Sequence, residues 1–195
     1  MSFGRPLEYD PDQALDAAMQ VFWSRGYEAT SLRDLLDAMG LSKSSLYQGF
    51  GGKKELFLRC VNRYCEGISS RLRGLLDDAG SGVAFIEEVL LIAAAEARKT
   101  DGRRGCLLMN TATEFAQRDP EIAARVTSGF EGLRGVLKAA ILRGQQEGDI
   151  TAEVDAEALA SYLISSLGGI KTVVKGGAGE EMVKDIVGII LRGLR

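Results

Sequence analysis

Apolar residues recur along this chain at helical spacing from end to end. Leu15, Ala18, Met19 and Phe22 form a first stripe, opened by Asp10-Pro11 and closed by Gly26. A capping aspartate followed by proline at the first helical position starts a helix, and glycine readily ends one. Leu32, Leu35, Leu36 and Met39 fall at i, i+3, i+4 and i+7 behind a Thr30 or Ser31 cap, and Gly40 closes that helix. Ser42 caps a second short helix with Leu46 and Phe50 on its inner side. A long helix is predicted from Lys53 toward Asp78, with Leu56, Phe57, Cys60, Val61 and Tyr64 facing inward and Gly74 inside the pattern. Beyond the break at Ala79-Gly80-Ser81-Gly82, helices are predicted over 83–98, 104–117, 120–147, 155–175 and 180–194. Asp101-Gly102, Asp119-Pro120, Gly148-Asp149, Asp155 and the run Gly176 to Gly179 supply the punctuation. Nine helices and no strand candidate predict an all-α protein.

The two short helices carry the sharpest signal. With Leu46 and Phe50 packed behind it, the second one presents Lys43, Ser44, Ser45, Tyr47 and Gln48. A short helix with an apolar back and a polar, cationic front suits insertion into the DNA major groove as the second helix of a helix-turn-helix. On that reading Lys43 reaches a phosphate or a guanine edge and Gln48 an adenine edge, while Ser44 and Ser45 permit close approach. Thr30, Ser31, Tyr47 and Lys53 would grip phosphates through hydroxyl, phenol, ammonium and a helix N-terminus.

LSKSSLYQGFGGKKEL, together with the upstream ALDAAMQVFWSRGYEATSLRDLLDAMG, resembles the DNA-binding signature of the TetR family of transcriptional repressors. The likeness covers about the first third of the chain. Gly49 stands where that family commonly has an aromatic or polar residue, and Lys54 where an acidic one is common. The resemblance implies an N-terminal three-helix DNA-binding domain followed by a six-helix ligand-sensing and dimerisation domain. Residues 1–52 would be the first, 53–80 a long connecting helix, and 81–195 the second.

Composition narrows the alternatives. The chain has 195 residues, three prolines and no histidine. Catalysis by a histidine base and most mixed Cys/His metal sites are thereby excluded, and no enzyme activity, metal or cofactor is expected. Glu87-Glu88 and Glu180-Glu181 point to different sides of a helix, and Gly176 to Gly179 lacks the Lys-Ser/Thr of a phosphate loop. Three cysteines without a C-x-x-C pair, a first segment lacking an apolar signal core, and no apolar run long enough to span a bilayer suit the reducing cytoplasm. The net charge is −3, yet residues 24–73 hold nine Lys and Arg against five Asp and Glu, whereas residues 74–195 hold fourteen against eighteen. Positive charge is concentrated where phosphates would be neutralised.

Two further groups bear on regulation. Cys106 follows Arg103-Arg104-Gly105 at a helix start, a setting that favours thiolate, and Cys106, Asn110 and Thr113 share one helix face. They could form a thiol sensor facing the interior, or Cys106 could be a small core residue beside an ordinary ligand pocket; Cys60 and Cys65 read as core. Leu159, Leu163, Leu167, Ile170, Val174, Val183, Ile186 and Ile190 form apolar stripes on the last two helices. These could build a four-helix interface with a second copy, helped by Gly168 and Gly169, or pack only within their own subunit.

The expected function is a homodimeric regulator that binds a double-stranded palindromic operator. A small-molecule or thiol-reactive effector would release it. A helical enzyme or lipid-binding protein with an incidental N-terminal bundle is the rival reading.

Overall fold

The computed structural model describes residues 9–98, 104–115 and 118–194. Among them lie nine α-helices and no strand: α1 Pro11–Arg25, α2 Leu32–Met39, α3 Lys43–Phe50, α4 Lys53–Asp78, α5 Gly82–Ala95, α6 Leu107–Phe115, α7 Pro120–Glu147, α8 Ala156–Lys175 and α9 Glu180–Arg192. Where one helix was predicted over 83–98, α5 stops at Ala95 and the chain tightens into a 3₁₀ turn, Glu96–Arg98. The helix predicted over 104–117 begins only at Leu107, because Gly105 holds φ +70°; residues 103 and 116–117 lie outside the described ones.

The chain divides into two compact units, the first ending at Tyr64 and the second starting at Cys65, so the division falls within α4. In the first unit Asp10 caps α1 by accepting from the amides of Asp12 and Gln13. Its core is Ala18, Phe22, Leu35, Leu46, Phe50, Leu56 and Phe57. Phe22 meets Phe57 edge-on at 5.0 Å, and Trp23 meets Tyr64 in the same way at 5.0 Å. Such pairs contribute about 0.5–1.5 kcal/mol beyond their burial. Arg63 of α4 clamps α1, donating from Nε and Nη2 to the two Asp16 oxygens at 2.5 and 2.9 Å, and from Nη1 to Asp12 at 2.8 Å.

The second unit is built around α5, whose Phe85, Ile86, Val89, Leu90 and Ala93 are buried against α7, α8 and α9. Backbone of α7 at Ala140 and Gly144 occupies the space a Cβ on Gly82 would need, so only glycine permits this approach. Glu147 accepts from the Gly82 amide at 2.7 Å and from Arg143 Nε at 2.8 Å. Arg143 also donates to the carbonyls of Leu76, Ala79 and Gly80, satisfying acceptors left over where α4 ends.

Candidate nucleic-acid interface and effector region

The helix-turn-helix is locked by two side-chain caps and one glycine. Ser31 Oγ accepts from the Asp34 amide at 3.1 Å, while Asp34 accepts from the Ser31 amide at 2.9 Å and from the Ser31 hydroxyl at 2.6 Å. This is a reciprocal capping box. Hydrogen bonds from the Ser31 side chain and backbone, then one from Arg25, hold the Asp34 carboxyl down at about 2. Gly40 turns the chain in the left-handed region, φ +65°, which L side chains rarely adopt. Ser42 Oγ then accepts from the Ser45 amide at 3.1 Å to start α3.

On α3, Leu46 and Phe50 are buried, whereas Lys43, Ser44, Tyr47 and Gln48 are exposed together. Ser45 is half-buried, and its hydroxyl lies 2.8 Å from that of Ser42. Lys53, at the first turn of α4, sets its ammonium 4.2 Å over the Tyr27 ring, which fixes where that charge stands. Two of the proposed phosphate contacts need revision. Thr30 is buried, and its hydroxyl donates to the Gly26 carbonyl at 2.6 Å, so it builds the turn rather than facing solvent. Ser31 is exposed but spends its hydroxyl on Asp34.

Sequence reasoning missed what holds the far end of α3. Arg59 donates to the Gly49 carbonyl at 3.0 Å and lies 5.6 Å from the Phe50 ring. Tyr9 packs on Gly49 and Phe50 from the other side. A glycine inside a short helix was the available signal, since it marks close approach; nothing local pointed to Arg59.

Two sequence families match: bacterial regulatory proteins of the tetR family over residues 14–60, and the tetracyclin repressor-like C-terminal domain over residues 83–175. An uncharacterised HTH-type transcriptional regulator of Bacillus subtilis, YezE, is 32% identical, over 96% of this chain and 97% of its own. The HTH-type transcriptional repressor ComR of Escherichia coli is also 32% identical, over 98% of this chain and 91% of its own. A cysteine variant of the TetR family regulator CifR, solved with a 26-bp double-strand operator DNA, superposes with a TM-score of 0.83. It is 30% identical, covering 98% of this chain and 100% of that one. The chain belongs to the TetR family of transcriptional regulators. As a TetR-family protein it is a DNA-binding transcriptional regulator, with α1 to α3 as its helix-turn-helix part.

The remaining expectations concern the second unit of this TetR-family chain. Cys106 is half-buried just ahead of α6, and its carbonyl accepts from the Asn110 amide at 2.9 Å. Asn110 donates to the Arg104 carbonyl at 2.8 Å and accepts from Lys175 Nζ at 2.9 Å, joining this turn to the end of α8. Thr113 does not continue an inward strip. It is exposed and returns its hydroxyl to Met109 of its own helix at 3.0 Å, while the buried threonine of α6 is Thr111. A wide pocket of about 440 Å³ is lined by Val83, Gly148, Asp149, Ile150 and Thr151 rather than by any of the strip residues.

Of the residues expected at a twin interface, Leu159, Leu163, Ile170, Val174, Val183 and Ile190 are buried inside their own protomer, so they have no surface left to offer a second copy. Leu167 and Ile186 are half-buried against the same core. Gly168 is filled by Met109 of the same chain, whereas Gly169 opens outward. The apolar residues that α8 and α9 do expose are Tyr162, Met182 and Ile189. Cys60 is fully buried, its thiol 3.7 Å from the Leu15 carbonyl and pushed far up by burial, but Cys65 is only half-buried and so departs from the core reading. Among the described residues no group of His, Cys, Asp and Glu is arranged to hold a metal, and no helix is long and apolar enough to cross a membrane.

Proposed function

We propose that this chain is a homodimeric repressor. Its α3 reads the major groove of a palindromic operator, and a thiol-reactive or small-molecule effector acting on the second unit releases it. One observation carries the reading: α3 buries Leu46 and Phe50 and turns Lys43, Ser44, Tyr47 and Gln48 outward on a single face. Relatives named as repressors, and a 30%-identical regulator solved with operator DNA, support it. One recognition helix covers one half-site, so specific binding calls for two copies. Tyr162, Met182, Ile189 and the outer edge of Ile186 offer the apolar surface for that pairing, beside the open backbone of Gly169. On the effector side, Cys106 is the half-buried thiol at the α6 start, tied through Asn110 to Lys175. An effector need only favour the conformation that spaces the recognition helices wrongly. About a 10⁴-fold preference between conformations turns a 1:99 mixture into 99:1.

The test is selection of bound duplexes from a random pool, followed by affinity measurements across a salt series. Lys43→Ala should weaken binding and flatten the salt slope, while Gln48→Ala should relax preference at one base position by about 1–3 kcal/mol. An unenriched pool, or affinity and selectivity unchanged in both variants, would remove the recognition helix from the proposal.

A further inference from the structure

Gly129 of α7 marks where two parts of the second unit converge. A Cβ built on it would lie 2.7 Å from Cys65 Sγ and 3.0 Å from both terminal methyls of Leu108. Cys65 stands on α4, and Leu108 is the second residue of α6, two beyond Cys106. The space left by the missing side chain of Gly129 is thus bordered by both the Cys65 thiol and Leu108 in the first turn of α6. Both thiols are half-buried, unlike Cys60. Charge on Cys106 is felt at Cys65, whose thiol is pushed up to about 11 by burial first and then by Cys106 and Glu66.

We propose that Cys65 and Cys106 are a two-thiol oxidation site, in which Cys106 reacts first with a peroxide-class oxidant and Cys65 then closes an intrachain disulfide. This rests on the reading of Cys106 as the effector-responsive position and adds its partner. In the first step the Cys106 thiolate attacks a peroxide oxygen. An S–O bond forms, the O–O bond breaks, and the departing alkoxide takes a proton to leave as alcohol, or as water from hydrogen peroxide. In the second step Cys65 sulfur attacks Cys106 sulfur: the S–S bond forms, the S–O bond breaks, and the hydroxide leaves as water with the Cys65 proton. Two thiols lose two electrons and one peroxide gains them. The order follows from chemistry, since a thiol held up by burial is the poorer attacker of oxidant. Cys65 also directly follows Tyr64, whose ring grips Trp23, and lies two residues beyond Arg63, which clamps Asp12 and Asp16.

The reduced full-length protein would be treated with hydrogen peroxide, its unreacted thiols alkylated under denaturing conditions, and its intact mass and non-reduced digest read by mass spectrometry. The expected result is a loss of two hydrogens per chain, one alkylated thiol at Cys60, and a linked Cys65–Cys106 peptide. Cys65→Ser should abolish the link and leave Cys106 carrying added oxygen. Gly129→Ala, by crowding Cys65, should slow the link several-fold without removing either thiol. Cys106 oxidised to the same extent with and without Cys65, and no link, would overturn the pairing while leaving Cys106 as a sensor. Cys106 unmodified in both proteins would overturn the pairing and the sensor reading together. Operator binding by the reduced protein, measured in parallel, tests the repressor reading independently of either result.

Discussion

The hydroxyl of Tyr9 occupies the space that a Cβ on Gly49 would need. The same tyrosine sets its ring 6.2 Å from that of Phe50, so the last turn of α3 is seated against the residue that leads into α1. A helical glycine normally costs about 1 kcal/mol relative to alanine. Here the cost secures a close approach that holds the end of the recognition helix, with Arg59 satisfying the Gly49 carbonyl.

Gly49→Ala should therefore change sign with its background. In the native protein it displaces the Tyr9 side chain from Phe50 and lowers stability. In a Tyr9→Ala protein the obstruction is gone, and the same substitution should raise stability by about 0.5–1 kcal/mol. Urea unfolding of the four proteins measures this. Stabilisation in both backgrounds would show that the contact does not constrain α3.

Adjacent hydroxyls at Thr30 and Ser31 should separate cleanly. Thr30→Val keeps the buried shape but removes the donor to Gly26, costing about 1–2 kcal/mol. Ser31→Ala removes the α2 cap at a cost of about 1 kcal/mol. Neither should weaken operator binding by the folded protein at fixed salt, because neither hydroxyl is available to a phosphate. A folded Thr30→Val protein with operator affinity reduced several-fold at the same salt concentration would restore that residue to the DNA face.

Much of this was legible in the chain itself. Asp10-Pro11, Asp119-Pro120 and Asp155 open helices where their chemistry says they should, because capping is decided within four residues. The polar front of α3 was equally local. Which hydroxyl of Thr30-Ser31 becomes the cap was not, since either can serve and the choice turns on a bond back to Gly26. The stripes of α8 and α9 misled for a related reason: period reveals which side of a helix is apolar, not whether its own chain or another covers it. Leu163 and Ile170 meet their own core, while Met182 and Ile189 are left outside. Cys65 and Cys106, forty-one residues apart, share no pattern that a periodicity could register.

Asp34 supplies a pH dependence with a definite sign. Its folded value, about 2, lies below the ordinary 3.8 because Ser31 and Arg25 hold the charged form. A depressed carboxyl contributes stability that is present above its unfolded value and lost as pH falls through the folded one. Unfolding free energy should thus decline as pH drops from about 4 toward 2, and Asp34→Asn should show a slope shallower by up to one proton across that window. Identical slopes in the two proteins would mean the capping box is not formed in solution.

Two isoleucines on neighbouring helices should answer the assembly question in opposite ways. Ile170 is fully buried in its own protomer, so Ile170→Glu strands a charge in the core and should cost several kcal/mol, unfolding the second unit rather than parting two intact copies. Ile189 is 59% exposed in the single chain, and Ile189→Glu places its charge in water there. If α8 and α9 pair with a second copy through Tyr162, Met182 and Ile189, the same charge becomes trapped on assembly, twice over by symmetry. Sedimentation should then find Ile189→Glu folded but monomeric, with helix content and melting of the single unit retained and specific operator affinity lost. A variant that sediments as native dimer and binds the operator normally would place the twin interface on another face.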